Sequence, residues 1–583
     1  VRQENQMKKA LIAVLLLALA VAGVYLFFFY SDKNYPERIF PENTIAYMAF
    51  SGVDSIQKDG KQTLLWQKIE SSPRKSLYLR QLDQFMSLSE SVVGVDLRPL
   101  LTQFSREVSL GFLPVTGRAQ SGALVGYIKK QGRTREFLEM KLDPGLRRRF
   151  PDLKKAPALY RDITYYKYSS KMLPSQVSPC YAFVDHHLLL TSTEVGMKVL
   201  LDTRDKKLRP LRKLDAFRDS KKEVHYSRGL FFFINADSAF QYTKNQLPSR
   251  AQFFWPAVVQ ITGLEAVQGF AYSIGFQNQG FREEGFVSVK RNRQGFAKAY
   301  MEQKPQKLAG LLFIPAESHV AGAATLPDTL SLWTEVEAQI QKTLSGSQFS
   351  QYRAILEMLA GFLDFDLKKD LFEPVGRQFS FGYELPAHET EGKNTNYFVA
   401  LELRNPEHFR GVLNRLASLG ELRGAPRHQE SYQGIHLESL DLHTGGMDVT
   451  PAYAIEASWL YFATNQAFLK QAIDVTKNKK NITSLPDFKR VTAGFPDEVN
   501  SISYTNTQVT LQKYAAFMDA RSQQAEGRWL RDYGLAEEMK ELSKSLFGSG
   551  SCIIVEKDGI RYRSYSSIPN AVLYLPAILA SYH

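Results

Sequence analysis

The chain carries one sequence pattern twice, so its fold must be one that this pattern can adopt two times over. Phe40-Pro41-Glu42-Asn43-Thr44 opens the first copy and Ile314-Pro315-Ala316-Glu317-Ser318 the second. GVDLRPLLTQFSREVSLGF (94–112) matches LDFDLKKDLFEPVGRQFSFGY (363–383), aligning Asp96 with Asp366, Arg106 with Arg377, Ser109 with Ser380 and Gly111 with Gly382. Residues 178–202 align without gaps to 450–474, and LDAFRD around Phe217 matches LPDFKR around Phe488. Anchors in one order, at an offset of about 270 residues, mark an internal repeat. The expected units are 38–303 and 311–583.

Each unit reads as α+β. Alternating apolar residues predict strands over 44–51, 107–113, 123–128, 163–168 and 181–191 in the first copy. Their counterparts are 319–326, 378–384, 397–403, 436–442 and 453–463. Helical spacing covers 63–70, 76–92 and 195–202, then 328–344, 349–363 and 466–475, with a longer insert over 511–547. Asp96 and Asp366 stand where a carboxylate would cap a short helix. Gly111 and Gly382, inside strands, imply a bulge or a close backbone approach. Gln277-Asn278-Gln279-Gly280 and Lys557-Asp558-Gly559 read as turns of the closing hairpins. Strands joined by turns or single helices predict mainly antiparallel sheets with helices packed on one face.

Residues 10–30, ALIAVLLLALAVAGVYLFFFY, form an apolar run of the length that crosses a bilayer. Arg2, Lys8 and Lys9 precede it. That flank predicts a cytoplasmic 1–9, a single-pass anchor in the inner membrane and a periplasmic remainder. The competing reading is a signal peptide cleaved after Ala22.

A net charge of +13 fits contact with anionic lipid, cell-wall polymer or another envelope partner. It fits equally a solvated surface, because the basic stretches 129–155 and 204–222 also contain acids. Nucleic acid is disfavoured by the expected compartment. Cys180 and Cys552, far apart in sequence, can pair or remain separate buried thiols.

The duplicated Pro-acid opening, the Asp-Leu helix start and the Gly-bearing closing hairpin resemble the bacterial DUF3352 family. That resemblance implies a membrane segment followed by repeated exported α+β units. The family being of unknown function, it implies no catalytic residue.

No G-x-S-x-G elbow, H-E-x-x-H helix, P-loop or CxxC pair is present. Asp185-His186-His187 with Glu194 offers metal-ligand chemistry, but neighbours on a strand face opposite sides. Ser72-Pro73-Arg74-Lys75 fits S-x-x-K without its S-D-N and K-T-G partners. Glu283-Glu284 reads as part of a solvated hairpin strand. Arg106 and Arg377, charged in both copies, offer a binding contact, but the favoured reading makes them ties between short helix and sheet, with Asp96 and Asp366 as candidate partners. The apolar 571–582 is too short to span a bilayer. No catalytic, cofactor or metal residues are assigned. The expected function is a non-enzymatic envelope scaffold or binding protein. The alternatives are a carrier or sensor of an apolar ligand such as lipid, suggested by Phe231-Phe232-Phe233 and Phe253-Phe254-Trp255, and an envelope hydrolase.

Overall fold

A computed structural model describes residues 35–51, 58–72, 95–96, 98–114, 120–224, 229–385, 396–416, 425–444, 447–523 and 535–570. The expected anchor 10–30, the helix 76–92, Pro73–Lys75 of the S-x-x-K tetrapeptide and the apolar 571–582 lie outside them. Among the described residues no helix is long and apolar enough to cross a membrane.

The chain forms two compact units. The first comprises 35–51 and 95–215 of the described residues. Its strands are β1 (Ala46–Ser51), β2 (Phe104–Pro114), β3 (Gln120–Ile128), β4 (Lys154–Tyr160), β5 (Ile163–Ser169), β6 (Cys180–Val184) and β7 (His187–Thr191). They pair antiparallel in the order β1-β2-β3-β7-β6-β5-β4. Leu100, Phe104, Ile128, Leu138, Tyr181 and Leu188 fill the core below. Arg147, Arg148 and Arg149 close the helix Asp143–Arg149, where cations complement its C-terminal end.

The second unit holds 58–72 and the chain from Ala216. Its strands are β8 (Leu230–Asn235), β9 (Val267–Gln277), β10 (Gly280–Val289), β11 (Val320–Thr325), β12 (Val375–Tyr383), β13 (Tyr397–Leu403), β14 (Arg427–Tyr432) and β15 (Ile435–Leu440). They continue with β16 (Leu442–Thr444), β17 (Met447–Val449), β18 (Ala452–Glu456), β19 (Trp459–Ala463), β20 (Ser501–Thr505), β21 (Ser549–Glu556) and β22 (Gly559–Ser566). The main ladder runs β8-β9-β10-β22-β21-β20-β11-β12-β13-β19-β18-β15-β14, antiparallel throughout. Strands β16 and β17 pair separately. Because β10 and β22 share a ladder, the compact units do not coincide with the sequence units 38–303 and 311–583.

Local chemistry sets the element ends. Thr63 caps the helix Leu64–Ser71 by accepting from Trp66 N–H, and Asp328 caps Thr329–Thr343 by accepting from Ser331 N–H. Asn278 and Gln279, at φ 43° and 68°, make the tight β9–β10 turn. The strand expected over 181–191 is two strands. Asp185 and His186, at φ 45° and 66°, reverse the chain between β6 and β7. The same happens at Ala457 between β18 and β19. The polar Asp185-His186-His187 mark the first reversal, and Glu456 and Ser458 flank the second.

Gly111 and Gly382 sit in unbroken register, opposite Tyr47 and Ala321. Their role is close approach, not a bulge. A Cβ on Gly111 would lie 2.2 Å from the Phe40 ring, and one on Gly382 would lie 2.8 Å from Ile314. Phe40 and Ile314 belong to the two opening segments. Ser109 and Ser380 likewise face Ala49 and Ala323.

Candidate functional site

The repeated charged residues lead to a cleft in the second unit. Asp366 accepts from Lys368 N–H at 2.9 Å and Lys369 N–H at 3.0 Å, capping the π-helical turn Leu367–Phe372. Asp96 precedes the corresponding short helix Arg98–Leu101. Arg377 does not pair with Asp366. Its guanidinium, 64% exposed, lies 3.6 Å from Asp328, while its backbone N–H donates to Glu402 at 2.7 Å. In the first unit the exposed Arg106 lies over the Tyr127 ring, 4.8 Å from its centre.

Arg377 and Asp328 line a cleft of about 500 Å³ with Glu302, Gln303, Lys304, Thr325 and Ser331. Asp328 is tied down: Arg404 Nη2 donates to it at 2.5 Å and Ser331 N–H at 2.9 Å. Burial raises its carboxyl pKa, but these hydrogen bonds outweigh burial and hold it below the usual value. Asp328 is thus a fixed anion already neutralised by Arg404. Lys304 and Arg377 remain solvent-facing cations beside it. The arrangement can hold a carboxylate, a phosphate or a polar segment of a partner. None of its described lining residues is His or Cys.

A second cleft, of about 320 Å³, lies beside the β9–β10 turn. Asp59, Gln62, Thr63, Ser273, Arg282 and Glu284 contribute to it. Here the expected solvated strand is corrected. Strand β10 lies between β9 and β22 and is covered on both faces, so Glu283 is 0% and Glu284 4% exposed. The two carboxylates do point to opposite sides. Glu284 accepts from Arg282 Nε at 3.2 Å and lies 3.9 Å from Arg563.

Glu283 faces a different network. Ser564 Oγ donates to it at 3.0 Å, the Asn570 backbone N–H at 2.8 Å, and Tyr272 also bonds to it. Asn570 in turn donates to Tyr562 Oη at 2.9 Å. Burial raises the Glu283 pKa despite these donors. Gly285 leaves room for the Tyr272 and Tyr562 rings, whose centres lie 6.4 Å apart.

Arg561 gave no sequence signal yet is almost fully buried. It donates to Glu556 at 2.6 Å and to the Glu223 carbonyl at 2.7 Å, with Phe286 under its guanidinium. Only its place on the covered side of β22 distinguishes it from the other arginines.

The metal-like cluster does not assemble. His186 occupies the β6–β7 turn, and His187 is buried with Nδ1 3.0 Å from the Asp185 carbonyl. Glu194 instead binds Lys167, Lys198 and Tyr165, and the two lysines lower its pKa to about 2. Among the described residues no group of three His, Cys, Asp or Glu could hold a metal. Cys180 and Cys552 are separate buried thiols, each with its pKa pushed up to about 12 by burial.

Phe231 and Phe233 are core, packed edge-on against Phe217. Phe253 and Phe254 are exposed.

Fold and cleft together define an α+β protein built on long antiparallel ladders, with polar clefts beside them. Residues 375–574 match the model of the family described as protein of unknown function (DUF3352), so this stretch of the chain is similar to that family. No curated protein is significantly similar to the chain. A solved structure named crystal form I of TP0453 is similar at 9% identity, over 77% of this chain and 100% of that one. Its TM-score of 0.18 is too low to inform fold or function.

Proposed function

We propose that the chain is a non-enzymatic scaffold or binding protein of the bacterial envelope, anchored by residues 10–30 with its bulk outside the cytoplasm. One observation carries the binding role. Arg377, which the repeat pattern singles out, makes only a long, exposed ion pair with Asp328 and stands at the lip of the larger cleft. An exposed ion pair of this length adds little to stability, which leaves the guanidinium available to a partner.

The reading includes two tandem copies of one α+β unit. In its support, β1-β2-β3-β7-β6-β5-β4 and β11-β12-β13-β19-β18-β15-β14 run in the same order, each antiparallel. The spacing that relates Gly280 of β10 to Gly559 of β22 also relates Glu284 to Arg563, which face each other in the ladder. A local two-fold relation between equivalent strands is what a duplicated unit produces.

The test is photo-crosslinking of the full chain in its native envelope, from a probe at Lys304. A partner captured by the natural sequence and lost in Arg377→Ala, with unchanged thermal stability, supports the reading. Capture that is indifferent to Arg377 refutes it. Protease treatment of spheroplasts should remove the bulk of the chain; protection of the bulk would overturn the topology. The second reading, a carrier of an apolar ligand, is favoured by the exposed Phe253 and Phe254, and lipid co-purifying with the chain would support it.

A further inference from the structure

The helices Ala236–Gln246 and Ser249–Thr262 pack together as a hairpin that bends through Leu247-Pro248. A helix at a protein surface normally turns its aromatic residues inward. Ser249–Thr262 does the reverse: it has no fully buried residue, and Phe253 is 79% and Phe254 54% exposed. Their rings meet edge-on with centres 5.2 Å apart. The helix is nonetheless held in place, because it packs against Gly295–Met301 and Thr329–Thr343. Thr329–Thr343 also packs on Gly346–Leu363, where Ile355 and Met358 are exposed as well.

Charge identifies what covers these rings. Lys244 and Arg250 flank the bend, both exposed and neither paired with a carboxylate among the described residues. The acidic residue of the two helices, Asp237, lies at the start of the first, away from the bend. Aromatic rings beside uncompensated cations are the pattern of a helix lying in a membrane interface. The cations meet anionic head groups while the rings reach the acyl boundary.

We propose that this hairpin inserts Phe253 and Phe254 into an anionic phospholipid surface, giving the chain a second contact with the membrane. The proposal rests on the anchored reading above for bringing the hairpin to a bilayer. It goes beyond that reading by assigning a lipid-binding surface within the folded part.

The test uses the full chain with Phe253→Cys carrying an environment-sensitive fluorophore, reconstituted into vesicles of phosphatidylcholine with or without phosphatidylglycerol. Labelling is selective because Cys180 and Cys552 are buried. On anionic vesicles the emission should shift to the blue, and quenching by aqueous iodide should fall roughly fivefold, as for a side chain set 5–10 Å into the interface. A Leu159→Cys control, at another exposed apolar residue, should stay quenchable. A chain that floats with vesicles while its Phe253 probe stays fully quenchable overturns the inference and leaves the anchor standing. A chain that does not float overturns both. Protection that follows protein density regardless of lipid charge assigns the surface to a second copy and also overturns the inference, as does equal protection at Leu159.

Discussion

Glu283→Ala should be among the most damaging single substitutions in the second unit. The carboxylate has no solvent access and accepts from Ser564 Oγ, Asn570 N–H and Tyr272. Removing it leaves each donor buried beside a small void. At about 1 kcal/mol per orphaned donor, the loss is about 3 kcal/mol before any cavity cost. Glu283→Gln should behave differently. It keeps the shape and an acceptor oxygen, and its amide can donate to the Ser564 or Tyr272 hydroxyl.

The sign of the pH effect follows from the raised pKa. A carboxyl whose folded pKa lies above its unfolded value favours folding when protonated. Its stabilising contribution is complete below the unfolded pKa of about 4.5 and is lost as pH rises through the folded value. Glu283→Gln should therefore remove this pH dependence and match or exceed the natural protein at pH 7. Urea denaturation followed by tryptophan fluorescence, at pH 5 and pH 7, reads both effects. An unchanged midpoint for Glu283→Ala, or a Gln variant weaker than the Ala one, would refute the network.

Arg377→Ala should change stability by less than about 0.5 kcal/mol, because its ion pair is long and exposed. Arg561→Ala should cost about 2–3 kcal/mol, since it strands Glu556 and Glu223 and exposes the face of Phe286; thermal melts compare the two. Gly111→Ala and Gly382→Ala should each cost about 1–3 kcal/mol by forcing Phe40 or Ile314 from its seat, measured in the same melts. Glu194→Gln should flatten the acid limb of the stability curve. The pairs with Lys167 and Lys198 lower its carboxyl pKa, so its contribution is present above about 4.5 and lost as pH falls through about 2. An unchanged acid limb would mean those pairs do not form in solution.

Much of the fold was legible because it is local. Two-residue alternation located most of the strands, helical spacing located the helices that Thr63 and Asp328 cap, capping chemistry located Asp366, and Gln277–Gly280 marked the β9–β10 turn. The 181–191 and 453–463 segments misled because each reversal, at Asp185-His186 and at Ala457-Ser458, takes only two residues between two short strands, so that each pair of strands read as one. Strands β4 and β14 were missed because they are mostly exposed and lack a continuous apolar side.

The candidate site was legible in part. The repeat singled out Arg377, but its partner Asp328 belongs to a helix cap 49 positions earlier, and no spacing rule connects them. Sequence alone determined that the chain mixes strands with helices and that Glu283 and Glu284 would take opposite sides of their strand. These follow from the backbone period and the linear order of residues. Only the tertiary structure decided that both sides of β10 are covered, that Glu283 and Arg561 are buried, and that Phe253 faces outward. Burial depends on which distant strand closes against each edge and face, and the β10–β22 ladder joins residues nearly three hundred positions apart.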